Sequence, residues 1–274
     1  MIKRTVFFVS DQTGITAETM GHSLMTQFDG IEFRQVTVPF ISTVDKAIEA
    51  VRKIDLVAAQ EGVRPVVFST LVQEDVRNVV RGSTGFFLDF FDPFLAPLAG
   101  ELKTQSTHTA GRTHRMADTH AYATRIDATN FALANDDGSV VRDYERADVI
   151  MVGVSRSGKT PTCLYMAMQY GVFAANYPLT DDDLELRKMP AALEAHARKL
   201  FGLTIRPDRL QQIRNERRPD SRYSSATQVT FEVRAAESLF QRFAVPFIDA
   251  TEVSIEEIAT RILDRMGIER RLRP

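Results

Sequence analysis

Val149 to Gly171 reads VIMVGVSRSGKTPTCLYMAMQYG, and its centre, Gly153-Val154-Ser155-Arg156-Ser157-Gly158-Lys159-Thr160, fills every fixed position of the phosphate-binding pattern G-x-x-x-x-G-K-[ST]. The pattern has a mechanism. Two glycines permit a tight turn whose backbone N–H groups face one concavity, to which a lysine ammonium and the positive end of the next helix add favourable charge. Val149–Val152 is apolar throughout, as in a strand buried on both faces. Leu164, Ala167 and Met168 then follow at helical spacing, before a Gly171 placed to end the helix. Strand, loop and helix therefore stand in the order that a phosphate loop requires.

Working outward, the same alternation recurs. Thr5–Val9, Phe33–Val38, Pro65–Ser69 and Phe86–Phe91 read as strands, and each except the last leads into a helical segment. The second of these helices starts with a capping-box pattern at Ser42 and Asp45 and can end at Gly62. Beyond the loop, Phe173–Tyr177, Leu200–Ile205 and Val245–Asp249 read as strands, and Pro207–Arg217, Gln228–Phe243 and Ser254–Met266 as helices. The expected class is α/β: an N-terminal Rossmann-like parallel-sheet domain over residues 1–140, then a P-loop kinase-like α/β domain over residues 141–274. The polar turn Asn135-Asp136-Asp137-Gly138 lies near the boundary.

Composition narrows the function. A formal net charge of -2, from 34 basic and 36 acidic residues, argues against nucleic acid or an anionic membrane as partner. Cys163, the single cysteine, forbids an intramolecular disulfide, suits a reducing cytoplasm and reads as a packed thiol. No stretch is long and apolar enough to span a bilayer, and Val6–Val9 is too short for a signal sequence.

Three further places carry chemistry or its absence. Ser10-Asp11-Gln12-Thr13-Gly14 follows the first strand and is read either as a second anion site or as the cap of the next helix. The polar connector 104–125 holds His108, His114 and His120 with Arg112, Arg115 and Asp118; its histidines, six apart, would not share a helix face as metal ligands. It reads as a solvated loop or a basic lining to a phosphate site. Arg214 and Arg217, three apart, would share a face able to clamp a transferring phosphoryl group, and Asp249 closes a strand where an acidic residue can position Mg²⁺ or take a hydroxyl proton.

Several longer segments resemble the regulatory proteins of phosphoenolpyruvate synthase and of pyruvate, phosphate dikinase nearly end to end: FVSDQTGITAE, RIDATNFALANDDG, ADVIMVGVSRSGKTPTCLYMA, AANYPL, FGLTIRPDRLQQIRNER and VPFIDATEVSIEEIATRIL. The resemblance implies a bifunctional enzyme that acts on a protein. ADP donates a phosphoryl group to a target threonine and leaves as AMP; inorganic phosphate later removes that group as pyrophosphate. SRSGKT looks like the synthase branch, with phosphoenolpyruvate synthase as partner, while the dikinase remains the alternative target and a homodimer is left open. On this reading Gly153–Thr160 holds the linked phosphates, Lys159 neutralises developing charge, Thr160 ligates Mg²⁺, and Arg214, Arg217 and Asp249 complete the catalytic set. Two other functions compete, a small-molecule P-loop kinase, which strand, loop, helix and basic segment would serve equally well, and a nucleotide-responsive binding module; the large N-terminal half, which a minimal metabolite kinase does not need, discriminates.

Overall fold

A computed structural model describes residues 2–107, 109, 119–138 and 141–272. The chain forms two compact units, Met1–Arg115 and Met116–Pro274. In the first, β1 (Ile2–Val9), α1 (Ile15–Met25), β2 (Ile31–Val38), α2 (Val44–Glu61), β3 (Val66–Ser69), α3 (Glu74–Arg81), β4 (Phe86–Asp89) and α4 (Asp92–Glu101) follow in turn. The strands pair in parallel in the order β2-β1-β3-β4, with Val9 opposite both Val38 and Ser69. Side chains alternate across a strand, so Phe7 and Val9 pack with Ala47 and Ile54 of α2 and Val76 and Val80 of α3. Val6 and Phe8 pack on the other face, with Ala17 and Met25 of α1.

The second unit starts with α5 (Thr119–Ala134) and a short 3-10 turn at Asp136–Gly138. Then come β5 (Val149–Gly153), α6 (Lys159–Tyr170), β6 (Ala174–Pro178), α7 (Asp181–Leu186), α8 (Ala191–Glu194), β7 (Leu200–Thr204), α9 (Pro207–Arg217), α10 (Ala226–Arg242), β8 (Phe247–Asp249) and α11 (Ile255–Met266). This sheet is also parallel, in the order β6-β5-β7-β8. Met151 faces a layer built from α5, α6 and α11, including Ala128, Met166 and Ile262. Ile150 and Val152 face the opposite layer, with Leu210 of α9 and Val233 and Phe240 of α10. Burial on both faces is why these strands read as continuous apolar runs.

In both sheets the first strand of the unit lies inside, between the second and the third. Connections leave such a strand in opposite directions, which opens a crevice beyond its carboxyl end where ligands of open α/β sheets bind. The Gly153–Thr160 loop emerges at that point of the second sheet.

Three expectations change. The strand ending at Asp89 does lead into a helix, α4, because Pro93 is tolerated in a first turn that needs no amide from it. Helix α2 is capped by Thr43, whose hydroxyl accepts from the Lys46 amide, one residue beyond the expected Ser42; Gly62 ends it at φ 66° as read. The compact units divide after Arg115, whereas the expected boundary followed residue 140. The reason is apolar: α5 contributes Ala128, Phe131 and Ala132 to the cores of the second unit.

Candidate active site

Val149–Gly153 is buried along its whole length, and Gly153 turns the chain against β7. A Cβ at Gly153 would collide with the Leu203 carbonyl oxygen and lie 3.1 Å from Ser157 Oγ, so only glycine allows this approach. Gly158 has φ 96° and occupies the N-cap of α6 with no side chain satisfying the helix amides. Arg156 also has a positive φ, 73°, a conformation that costs a non-glycine residue about 1–2 kcal/mol. The loop thus accepts backbone strain to present its peptide groups, as binding loops do.

Lys159 is buried and donates from Nζ to the Val154 carbonyl at 2.9 Å, folding back over the turn. Burial lowers its pKa to about 8, and Asp137, then Cys163 and Asp136, offset part of that effect. Ser157 Oγ is buried without a hydrogen-bond partner. The same burial raises the Cys163 thiol, which is inert packing as expected.

Thr160 Oγ1 donates to Asp136 Oδ1 at 2.8 Å. Asn176 of β6 donates its Nδ2 to that same carboxylate oxygen, and its Oδ1 accepts from the Asp137 amide at 3.0 Å. The Asn176 amide further donates to the Asn135 carbonyl at 3.1 Å. Strand β6 therefore pins the turn 135–138 against the loop. Asp136, Asp137, Ser155, Arg156, Gly158, Lys159, Thr160, Pro161, Ile213 and Arg217 line one cavity of 510 Å³. An uncapped helix N-terminus beside a buried lysine suits an anion of the size of two linked phosphates.

The expected arginines separate. Arg217 lines the cavity, whereas Arg214 is wholly buried behind the loop. Arg214 pairs with Glu232 at 2.7 Å, donates to the Ser155 carbonyl at 3.0 Å and the Tyr223 carbonyl at 3.1 Å, and lies 4.2 Å from the Tyr223 ring centroid. Its role is to hold the loop, because both terminal nitrogens of its guanidinium are engaged by protein groups; only Nε is without a partner. Asp249 is not gathered to the cavity: it sits on the edge strand and accepts from the Thr251 amide at 2.8 Å and the Thr251 hydroxyl. Position in sequence brought Arg214 and Arg217 together; the helix turned one inward.

The turn after β1 also differs from its capping interpretation. Gly14, at φ 88°, is the N-cap of α1 and no side chain caps that helix; Ser10 Oγ accepts from the Gln12 amide and Asp11 from the Val72 amide. Of the connector, His108, His114, Arg112, Arg115 and Asp118 lie outside the described residues, and His120 is exposed on α5. Among the described residues no three or more His, Cys, Asp or Glu side chains gather as metal ligands, and no helix is long and apolar enough to cross a membrane.

Residues 6–263 match the model of the kinase/pyrophosphorylase family. The chain belongs to the kinase/pyrophosphorylase family. Full-length relatives agree: proteins of Pseudomonas fluorescens and Stutzerimonas stutzeri are each 54% identical over 272 residues, covering 99% of this chain and 100% of theirs. Another from Ectopseudomonas mendocina is 53% identical over the same span. Each bears the name "Putative phosphoenolpyruvate synthase regulatory protein". In this family member, sequence reading missed Asp136 and Asp137 at the cavity, Asn176 that holds them, and Tyr223 and Glu232 behind the loop. The NDDG turn was visible as a turn, but nothing local to it says that it packs on the strand beside the loop.

Proposed function

We propose that this chain is a bifunctional protein serine/threonine kinase and phosphorylase that regulates phosphoenolpyruvate synthase in the cytoplasm, inactivating it with ADP and reactivating it with inorganic phosphate. The observation that carries the reading is the single cradle of Gly153–Thr160, with Lys159 buried in it and an uncapped helix behind it. ADP and pyrophosphate share two linked phosphates, so one cradle serves both directions. In the forward step the target threonine oxygen forms a bond to the β-phosphorus of ADP, the bond to AMP breaks, and the hydroxyl proton leaves to a base. In the return step an oxygen of inorganic phosphate attacks the phosphothreonine phosphorus, pyrophosphate forms, and the threonine oxygen takes up a proton.

Loop amides and Lys159 would hold the phosphates, with Arg217 at the rim as a further contact. The oxygen-rich donor set of Thr160 and the adjacent carboxylates fits Mg²⁺, a hard cation that keeps water and substrate oxygens as its other ligands. Bound there, Mg²⁺ would neutralise phosphate charge. Incubation with phosphoenolpyruvate synthase and ADP labelled at the β-phosphate should place label on a target threonine, and added phosphate should release it as pyrophosphate. Label that never reaches the synthase overturns the reading; transfer to pyruvate, phosphate dikinase instead would reassign the target. Lys159→Ala should abolish both reactions, and full phosphate-dependent dephosphorylation by that variant would sink the shared cradle.

A further inference from the structure

We propose that Asp136, supplied by the turn before β5, is the positioning carboxylate of this phosphate loop, and that it orients the Thr160 hydroxyl so that a lone pair of its oxygen faces the cavity as a divalent-cation ligand. The assignment rests on the diphosphate reading above.

A carboxylate only accepts hydrogen bonds, so in the 2.8 Å contact with Asp136 Oδ1 the proton belongs to Thr160. That contact uses the sole donor of the hydroxyl. Thr160 therefore cannot donate to a bound phosphate while the contact stands; one lone pair accepts from Asn176 Nδ2 at 3.4 Å, and the other is left for the cavity, which suits a hard cation. Asn176 makes the arrangement specific. Its Nδ2 donates to the same Asp136 oxygen, and its Oδ1 holds the next residue's amide, fixing both the carboxylate and the turn that carries it. Asp137 has φ 52°, a left-handed conformation stabilised here by that amide contact. A carboxylate that fixes a metal ligand from behind commonly governs metal affinity by about 10–100-fold.

The placement also answers what Asp249 leaves open. Asp249, at the end of the edge strand, turns its carboxylate to Thr251 in the turn beyond, whereas Asp136 meets Thr160 directly and is held there by Asn176 of β6. The acid of this site thus enters from before the loop in sequence rather than from a later strand.

The test measures Mn²⁺ binding to the full-length protein with ADP present, from the electron paramagnetic resonance signal of free Mn²⁺. Asp136→Asn, which keeps shape, and Asp136→Ser, which is also compatible with a turn, should each weaken Mn²⁺ binding by about 10–100-fold. Thr160→Val should weaken it as well. Combining Asp136→Asn with Thr160→Val should cost no more than the larger single effect, because both remove one interaction. Circular dichroism and Tm report folding for each variant; two chemically different replacements keep the test informative if one fails to fold. Unchanged Mn²⁺ affinity in the Asp136 variants, or effects that multiply in the double variant, would overturn the assignment alone. A wild-type protein that binds no Mn²⁺ with ADP would instead overturn the diphosphate reading, and this assignment with it.

Discussion

Lys159 is a cation in a place that resists charge. Its pKa, lowered from 10.5 to about 8 by burial, means that the unfolded chain holds this proton more tightly than the folded one. Stability should therefore rise as pH increases from about 8 to 10.5, and the Lys159 penalty is fully present below that window. Lys159→Met should raise Tm at neutral pH, with the advantage over the wild type closing by about pH 10; an advantage independent of pH would show that charge burial is not its source. The same property predicts a ligand effect. A bound diphosphate favours the charged amine, so at pH values just above 8 ADP binding should take up protons, measurable by calorimetry in buffers of different ionisation enthalpy, and Lys159→Met should abolish that uptake. Gly153 is sensitive for a steric reason. Gly153→Ala drives a methyl into the Leu203 carbonyl and should cost about 1–3 kcal/mol in denaturant unfolding, with loss of ADP binding.

At the scale of elements, α9 carries two arginines with opposite duties. Arg214 points inward to Glu232, Ser155 and Tyr223, and its loss leaves a buried carboxylate unpaired. Arg214→Ala should destabilise the fold by about 3–5 kcal/mol, and Arg214→Lys should rescue it poorly because an ammonium cannot reproduce the planar fork. Arg217, exposed at the cavity rim, should behave in reverse. Arg217→Ala should leave stability within about 0.5 kcal/mol while weakening ADP binding about tenfold or more, as expected for a lost charge-assisted contact. Equal effects of the two alanine variants on stability would contradict this division. The pair shows how far a pattern reaches: spacing of three places both on neighbouring helical positions, but which one meets the core depends on what α10 offers beneath it. Here it offers Glu232.

The whole molecule consists of two units with the same strand order, and each places its first strand inside the sheet. The division after Arg115 makes a concrete prediction about the second unit. A fragment of residues 116–274 retains α5, with the buried Ala128, Phe131 and Ala132, and the Asp136 turn. It should fold cooperatively and bind ADP. A fragment of residues 141–274, the extent expected from sequence, lacks both and should expose apolar surface of α6 and bind ADP weakly if at all; dye binding and calorimetry compare the two. Comparable folding and affinity of the fragments would refute the claim that α5 and its turn belong to this unit.

Sequence by itself determined the parallel α/β class, the strand–loop–helix at Gly153–Thr160, the packed state of Cys163 and the ends of α2 and α6 at Gly62 and Gly171. All of these depend on interactions within a few residues: burial period, turn chemistry and glycine's access to positive φ. Only the tertiary structure decided that Asp136 meets Thr160, that Arg214 serves the loop from behind, and that Asp249 stays at the sheet edge. Those outcomes join residues separated by 24 positions for Asp136 and Thr160 and by 59 for Arg214 and Ser155. Such contacts are set by which strand lies beside which, through the crossovers that put β5 between β6 and β7, and no local period encodes that choice.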